Sequence, residues 1–280
     1  MTRRLLVGGA EIISLPDGSA ALGGPPTAGA AVRPGVDWAG YHARHPDGFH
    51  GPDHHWRVHN GCYLVRAGGA SVLVDLGVGR GPYPRYAGLE GALPRSMERA
   101  GVVPEEVDVV FFTHAHPDHV GWSLKPDGTP TFPRARYVLH RADWEEYAVR
   151  RSPPPRYVER FVAPLLALGV LELMDGERAL AEEVVALHTP GHTPGHMSVL
   201  VGRAGDRAVI TGDVVVSPFY VSEPEQPFGS DIDPQQGIRT RVALVARAEA
   251  EGLRLVGGHM PEPGWGEVVR VNGRRWFRAL

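Results

Sequence analysis

The sequence predicts a single α/β domain of four layers, in which two stacked β-sheets carry helices on both outer faces. Two observations lead to this fold class. Segments typical of strands, helices, strands and a helix follow one another in that order along the 280 residues, which suggests two halves with their sheets inside and their helices outside. A chain of this length can also bury one large core, so we expect residues 1–280 to form one domain.

The first part of the chain is predicted to be irregular. Residues 14–60 are rich in Gly, Pro and His and show little periodicity, which is typical of a long surface loop. The aromatic residues Trp38, Tyr41, Phe49 and Trp56 argue against disorder, because such side chains gain stability by burial. We expect this N-terminal excursion to act as a lid over a substrate site or as an arm in a homodimer.

A β-hairpin and an alternation of strands and helices follow. Residues 62–66 and 71–75 have the composition of strands and are joined by Ala-Gly-Gly-Ala, which is hairpin chemistry. The other predicted elements of this half are a helix over 89–100, strands over 107–112 and 136–140, and helices over 142–150 and 156–168. Prolines after residue 150 and Gly169 mark the ends of the last two helices.

The second half of the chain returns to strands and contains one long helix. The predicted strands cover residues 171–174, 184–188, 197–201, 207–211 and 253–256. Asp233 is a predicted N-cap and is followed by proline at the first helical position, so a helix should begin there and end near residue 250.

Composition excludes several classes of protein. The 29 basic and 32 acidic residues give a formal net charge of -3, which offers no overall attraction to nucleic acid or to an anionic membrane. The sequence has no apolar stretch near the roughly 18 residues of a spanning helix and no signal-peptide core. Cys62 is the only cysteine, which excludes an internal disulfide and a cysteine-based metal site. We expect a cytoplasmic protein that acts on a small molecule.

Metal-capable side chains are densest at residues 113–119, Thr-His-Ala-His-Pro-Asp-His. Three imidazoles and a carboxylate in so short a stretch are difficult to explain by packing, and zinc and other divalent first-row metals accept both groups as ligands. The stretch directly follows the apolar run at 107–112. It should therefore lie at the carboxyl end of a strand, where sites gather in open α/β sheets.

Three further strands are followed by such side chains. They lead into Thr-Pro-Gly-His-Thr-Pro-Gly-His at 189–196, Thr-Gly-Asp at 211–213 and Gly-Gly-His at 257–259. In the first of these segments the spacing favours His196 as the ligand and gives His192 a role in the turn. The predicted metal ligands are His114, His116, Asp118, His119, His196, Asp213 and His259. Seven ligands suit two ions that share one carboxylate, and such a pair favours hydrolysis.

These motifs together resemble those of the metallo-β-lactamase fold superfamily. The matching features are the His-x-His-x-Asp-His motif that begins at His114, the Gly-His turn at 191–196, Thr-Gly-Asp at 211–213, and Gly258-His259. With Asp75 after the first hairpin, the resemblance covers roughly residues 60–260. It implies the four-layer αββα sandwich of that superfamily.

The resemblance also implies how the ligands are divided. His114, His116 and His196 would hold one ion, Asp118, His119 and His259 the other, and Asp213 would bridge the two. In such families a hydroxide between the metals attacks a carbonyl or phosphoryl centre, and the residue that corresponds to Asp118 carries a proton to the leaving group. The implied cofactors are two divalent ions, zinc first, with manganese, cobalt and iron as alternatives. Asp75 is implied to orient a ligating histidine.

Within the superfamily, the chain resembles the acyl-homoserine lactonase and methyl parathion hydrolase branch. This similarity rests on the extended N-terminal region, the opening strand from Asn60 and the ending that starts at Gly258. True β-lactamases of the commonest zinc class have cysteine where this chain has Asp213, and flavodiiron proteins have glutamate where it has His116. We predict a lactonase, with phosphotriester and thioester hydrolysis as alternatives. Tyr220 is the candidate for the catalytic phenol that such lactonases carry after the bridging aspartate.

Two alternatives of other classes stay open at this level: a metal-bound scaffold that binds a ligand without turnover, and a mononuclear iron redox enzyme. Asp118 and Asp213 argue against the scaffold, since binding alone needs neither carboxylate. An apolar pocket is expected near the metals, because small-molecule sites usually need one. Its candidate aromatic residues are Phe49, Trp56, Phe219, Tyr220 and Phe228, each of which could equally belong to the core.

Overall fold

The fold is described from a computed structural model and covers residues 3–280. The first half of the chain builds one eight-stranded sheet. Its strands are β1 (Arg4–Val7), β2 (Ala10–Ala21), β3 (Phe49–His50), β4 (His55–Ala67), β5 (Ala70–Val74), β6 (Val109–Phe111), β7 (Arg136–His140) and β8 (Leu171–Met174). Their order is β1-β2-β4-β5-β6-β7-β8 with β3 beside β4, and β5 to β8 are parallel.

The second half builds a seven-stranded sheet in the order β15-β14-β13-β12-β11-β10-β9. Its strands are β9 (Arg178–Ala181), β10 (Val184–His188), β11 (Met197–Arg203), β12 (Asp206–Ile210), β13 (Arg254–Val256), β14 (Trp265–Val271) and β15 (Arg274–Ala279). Only β12 and β13 pair in parallel among these neighbours. Parallel pairing puts the carboxyl ends of β12 and β13 at the same edge of the sheet.

Helices connect the strands on the outer faces. They are α1 (Trp38–Arg44), α2 (Leu93–Ala100), α3 (Pro117–Val120), α4 (Arg141–Trp144), α5 (Arg156–Phe161), α6 (Ala163–Ala167), α7 (Pro218–Ser222) and α8 (Pro234–Glu251). Helix α4 continues as a π-helical turn over Glu145–Val149. The Asp233 side chain caps α8 by accepting from the backbone N–H of Gln236, as predicted. None of the helices in residues 3–280 combines the length and apolarity that crossing a bilayer requires.

Alternation along the strands produces three layers of core. In β5, Val72 and Val74 face the second sheet, whereas Leu73 between them packs towards the helices of the first half. On the outer face of the second sheet, Leu255 of β13 packs in one cluster with Leu244 of α8. The apolar side chains therefore fill the space between the sheets and the two spaces beneath the helices. This arrangement confirms the predicted four-layer αββα sandwich.

The prediction that residues 14–60 are irregular is wrong at both ends. Strands β2 and β4 pair with each other in antiparallel register over most of their length. Two features obscure the alternation of apolar and polar residues that would predict these strands. The register shifts between Pro16 and Gly18, and the middle of β4 is buried on both faces. The excursion between these two strands is thus limited to residues 22–54, and it includes the short elements α1 and β3.

A buried carboxylate on β2 joins the loops at the edge of the first sheet that bears the metal-capable residues. Oδ1 of Asp17 accepts from the backbone N–H of Leu93 at 2.6 Å and from the indole of Trp122 at 2.8 Å. Its Oδ2 accepts from the backbone N–H of Val78 at 2.7 Å. Trp122 lies three residues after His119, so this carboxylate fixes the segment that carries the His-x-His-x-Asp-His motif. The local sequence around Asp17 has no motif that predicts this role.

Candidate metal centre

The predicted ligand segments lie on loops at one edge of the two sheets. Residues 113–119 follow β6, and residues 189–196 connect β10 to β11. Residues 211–213 follow β12, and residues 257–259 follow β13. The loops bring together seven side chains in two groups that could each hold an ion. The first group is His114, His116, His192 and Asp213, and the second is Asp118, His119 and His259.

In the first group the ring nitrogens converge on one point. Nδ1 of His116 lies 2.9 Å from Nε2 of His114 and 3.0 Å from Nε2 of His192. Oδ2 of Asp213 lies 3.3 Å from Nε2 of His192 and 3.9 Å from Nε2 of His114. Ligand atoms bound tetrahedrally to zinc at their usual bond lengths are about 3.3 Å apart. The first group therefore has dimensions that suit one such ion.

The second group uses the other oxygen of the same carboxylate. Oδ1 of Asp213 lies 3.4 Å from Nε2 of His119 and 3.2 Å from Nε2 of His259. Nε2 of His259 is also 3.6 Å from Oδ2 of Asp118. Asp213 thus presents one oxygen to each group, which is the geometry of a carboxylate that bridges two ions.

Two buried polar atoms in this centre lack a hydrogen-bond partner within residues 3–280 and would be satisfied by a bound cation. Nε2 of His119 and Oδ1 of Asp213 are buried without a hydrogen-bond partner among the described residues. Each such atom costs about 1–3 kcal/mol when it stays unsatisfied. A divalent ion between them would satisfy both. The donor set of imidazole nitrogens and carboxylate oxygens suits zinc, and also manganese, cobalt or iron.

Electrostatics also favour positive charge in the second group. Burial and neighbouring histidines lower the pKa of His116 to about 3, so its imidazole is neutral, as metal binding requires. Burial acts in the same direction on His119 and His259, but the surrounding carboxylates outweigh it. They raise the pKa of His259 to about 9 and that of His119 well above its usual value. The carboxylates of Asp118 and Asp213 thus stabilise a cation at this point.

Each of the five histidines is oriented by a partner on its other ring nitrogen. These pairs are His114 with Thr113, His116 with Tyr147, His119 with Asp75, His192 with Asp231, and His259 with the carbonyl of His59. Such partners fix the tautomer and the direction of a ligating imidazole. Among them, only Asp75 was expected from the sequence, and its Oδ2 lies 2.8 Å from Nδ1 of His119.

The partner of His192 belongs to a buried ion pair. Oδ1 of Asp231 lies 3.1 Å from Nδ1 of His192, and its Oδ2 accepts from Arg241 at 2.9 Å. Arg241, which is 1% exposed, also donates to the carbonyl of Val214 at 2.8 Å. The guanidinium of α8 therefore compensates the carboxylate behind His192 and connects it to the loop that carries Asp213.

The structure corrects the prediction for His196, because this side chain joins neither group. Its Nε2 accepts from the backbone N–H of Asp213 at 2.9 Å, and its Nδ1 lies 2.9 Å from Oγ1 of Thr189. Both ring nitrogens are therefore occupied behind the centre, and the side chain of this loop that joins the first group is that of His192. Gly191 has φ of +132°, and a Cβ there would overlap the backbone of Gly237. Glycine permits this close turn, which the spacing of two similar Gly-His pairs does not reveal.

The structure also corrects the prediction for Tyr220. Its hydroxyl donates to the carbonyl of Pro227 at 2.8 Å, and its ring lies against the guanidinium of Arg241 at 4.4 Å. Tyr220 is fully buried in the core beside the second sheet and does not line the cavity over the metal-capable groups. The phenol that reaches this centre belongs to Tyr147, 2.7 Å from Nε2 of His116.

A cavity of about 520 Å³ opens over the two groups. Five of the seven metal-capable side chains form its floor: His116, Asp118, His192, Asp213 and His259. Its walls include apolar and aromatic side chains, namely Leu22, Pro25, Trp56, Val58, Tyr86, Tyr147, Tyr157, Phe228 and Ile232. Of the aromatic residues proposed for a pocket, Trp56 and Phe228 line it, whereas Phe49 and Phe219 belong to the core. From the excursion, the cavity is lined by Leu22, Gly23, Pro25, Ala28 and Gly29.

Comparison with known proteins decides the family. The family model of the Metallo-beta-lactamase superfamily matches residues 56–259. The chain belongs to this superfamily. Membership agrees with the motifs that suggested it and with the placement of the metal-capable residues at one edge of both sheets.

Two relatives in the superfamily illustrate how far the similarity extends. Over 155 residues the chain is 29% identical to an N-acyl homoserine lactonase of Bacillus sp, a match that covers 50% of this chain and 57% of that protein. The chain thus spans little more than half the length of this relative. An N-acyl homoserine lactonase of Bacillus thuringiensis is 24% identical over 216 residues, which cover 71% of this chain and 80% of that protein.

Solved structures of the superfamily share the fold over nearly the whole chain. A hydrolase named AbOPH gives a TM-score of 0.82 at 22% identity, and the match covers 100% of this chain and 97% of that one. AidC, a dizinc quorum-quenching lactonase solved with N-hexanoyl-L-homoserine as its product, gives a TM-score of 0.79 at 20% identity with the same coverage. These likenesses confirm the metallo-β-lactamase fold.

Proposed function

We propose that this protein is a dinuclear metal-dependent hydrolase of a small ester-like substrate, and that the substrate is a lactone. The observation that carries the proposal is the position of Asp213. Its two carboxylate oxygens face one ligand group each, at the floor of a cavity that can admit a small molecule. A single-ion redox site or a simple binding scaffold would not need this shared carboxylate.

Bound in the two groups, divalent ions supply Lewis acidity that acidifies a water molecule and polarises a carbonyl group. The chain's own residues supply the rest. Asp118 lines the cavity with its side chain 13% exposed, and the proposal assigns it the transfer of a proton to the leaving oxygen. The partners on their outer nitrogens fix the directions of the histidines.

The residues in the walls of the cavity favour an uncharged substrate with an apolar part. Trp56, Phe228 and Leu22 contribute apolar surface on one side. Arg151, an arginine on the wall, donates to Glu146 at 3.0 Å, so its charge is already paired. The relatives named as N-acyl homoserine lactonases give independent support for a lactone. The predictions of one domain, a cytoplasmic location and a homodimer are not tested by these observations and stay predictions.

A substrate panel tests the proposal. The protein is loaded with zinc and assayed with γ-lactones of graded acyl chain, an aryl phosphotriester, a thioester and a β-lactam. We expect kcat/KM for the best lactone to exceed that for the other classes by about an order of magnitude or more. Chelation should abolish turnover, and added zinc should restore it.

Two results of the panel would contradict the proposal. Hydrolysis of the phosphotriester or the thioester without hydrolysis of any lactone would reject the lactone as substrate. Binding of two zinc ions without turnover of any compound would reject the enzyme and favour the scaffold.

A further inference from the structure

The histidines of the first group lie on two loops that come from different halves of the chain. Residues 113–119 follow β6 of the first sheet, whereas residues 189–196 connect β10 and β11 of the second sheet. His114 and His116 belong to the first of these loops, and His192 belongs to the other. Three imidazoles that converge on one ion therefore require a fixed separation between the two loops.

Asp143 of α4 is fully buried and contacts both loops. Its Oδ2 accepts from the backbone N–H of Ala115 at 2.9 Å and from the hydroxyl of Thr193 at 3.0 Å. Its Oδ1 accepts from the backbone N–H of Gly195 at 2.7 Å. Ala115 lies between the two histidines of one loop, and Thr193 directly follows the ligand-group histidine of the other. One carboxylate thus joins the loops beside the side chains that form the first group.

A backbone hydrogen bond also joins these parts of the chain, but at the base of the loops. The N–H of Met197 donates to the carbonyl of Thr113 at 2.8 Å. Met197 is the first residue of β11, and Thr113 follows shortly after the end of β6. This bond fixes the loops where they leave the sheets. The three bonds to Asp143 fix them farther out.

The packing around Asp143 leaves the second loop little freedom. A Cβ on Gly195 would lie 2.8 Å from Oδ1 of Asp143 and 2.6 Å from its backbone nitrogen. Glycine at this position therefore allows the loop to approach α4 closely. One turn farther along, the hydroxyl of Tyr147 lies 2.7 Å from the outer nitrogen of His116. Helix α4 and its π-helical continuation thus hold the ligand loops through both backbone and side-chain contacts.

The donors around Asp143 require a carboxylate. Two of them are backbone N–H groups, one on each loop, and each faces a different carboxylate oxygen. An asparagine would replace one of these oxygens by an NH₂ group, which cannot accept a hydrogen bond. In either orientation of the amide, one loop loses its backbone bond to α4. Asp143 is not among the residues that line the cavity, so this change does not touch a bound substrate.

We propose that Asp143 is a positioning residue that holds the two loops at the separation required by the first ion, and that it thereby sets the affinity for that ion. This inference rests on the proposed dinuclear function. Asp143 acts through the backbone beside His116 and His192, and it takes no part in the transfer of a proton or in contact with the substrate.

Asp143→Asn tests the proposal through metal binding. We expect its affinity for the first ion to fall on the order of 10–100-fold, the loss that is typical when an outer partner of a ligand is removed. The second ion should be bound nearly as tightly as in the wild type, because no bond of Asp143 reaches a residue next to His119 or His259. Competition with a chromophoric chelator gives both affinities. An anomalous difference map at limiting zinc identifies which ion is lost.

Activity gives a second measurement on the same variant. At limiting zinc, kcat of Asp143→Asn should fall together with the occupancy of the first ion. At saturating zinc, kcat should return to within about threefold of the wild-type value, because the variant retains every metal ligand. KM should stay unchanged at saturating zinc, since Asp143 does not line the cavity.

Two further variants separate positioning from a general loss of stability. Asp17 is also a fully buried carboxylate that accepts from two backbone N–H groups, those of Leu93 and Val78. Asp17→Asn should lower the melting temperature as Asp143→Asn does, without a selective loss of the first ion. Gly195→Ala keeps the carboxylate of Asp143 but places a Cβ against it, so it should weaken the first ion selectively. It also provides the test if Asp143→Asn does not fold.

The outcomes distinguish this inference from the function on which it rests. A wild type that binds no zinc overturns the dinuclear centre and the role of Asp143 together. Two bound ions without turnover of any compound overturn the hydrolase only, because zinc affinity still tests Asp143. Unchanged affinity for both ions in Asp143→Asn and in Gly195→Ala overturns the role of Asp143 alone. Equal loss of both ions, or the same selective loss in Asp17→Asn, shows a general structural effect and also overturns that role.

Discussion

Replacement of Asp213 by alanine should remove the bound pair of ions and lower kcat on the order of 10³-fold or more. The reason is that one carboxylate serves both groups, with Oδ2 towards His192 and Oδ1 towards His259. Its removal takes one ligand from each ion at once. Zinc per chain, measured by elemental analysis after dialysis, should fall from two to one or fewer.

Two further variants keep this result interpretable. Asp213→Asn preserves the volume of the buried side chain but not its charge, so it should lose zinc while the protein stays folded. Asp206 lies at the opposite end of β12, where it pairs with Arg254 at the surface, and Asp206→Ala should retain two ions and full activity. An Asp213→Ala protein that binds two zinc ions with unchanged affinity would exclude the bridge.

Replacement of His192 by glutamine should lower the affinity for zinc much more than replacement of His196 by glutamine. In the first group, Nε2 of His192 lies 3.0 Å from Nδ1 of His116, so His192→Gln should remove a ligand of the proposed first ion. The affinity for one ion should fall by more than the roughly 10–100-fold that is typical when an outer partner is lost. His196 instead accepts from the backbone of Asp213. An amide oxygen can accept the same bond, so His196→Gln should keep two ions.

Zinc affinity, measured by competition with a chromophoric chelator, distinguishes the two positions. The reverse result, in which His196→Gln loses an ion and His192→Gln keeps both, would restore the ligand set expected from the sequence. Loss of an ion in both variants would mean that the support of Asp213 by His196 is as important as direct coordination.

The sequence predicted the parts of the fold that depend on local pattern. The hairpin of β4 and β5 turns at Gly68 and Gly69, which both have positive φ, and Asp233 caps α8 as expected. The ligand segments also follow buried strands, which explains why the structure gathers them at one edge. By contrast, the C-terminal hairpin of β14 and β15 was missed. Its strands are partly exposed, and their apolar pattern is correspondingly weak.

Contacts between distant parts of the chain were not predictable in this way. His192 and His196 occupy equivalent positions in two successive Gly-His pairs, and only the folded turn directs one inward and the other behind Asp213. The same holds for Asp231, whose role depends on Arg241 of α8. Tyr147 lies in a segment whose pattern predicted a plain helix, and its phenol meets His116 only in the folded structure.

The most direct test of the account is an anomalous difference map, recorded at the zinc absorption edge from crystals of the zinc-loaded protein. We predict two peaks about 3.5–4 Å apart. One should be bound by His114, His116 and His192, the other by Asp118, His119 and His259, with Asp213 between them. A single peak, or a peak coordinated by His196, would contradict the proposed dinuclear centre.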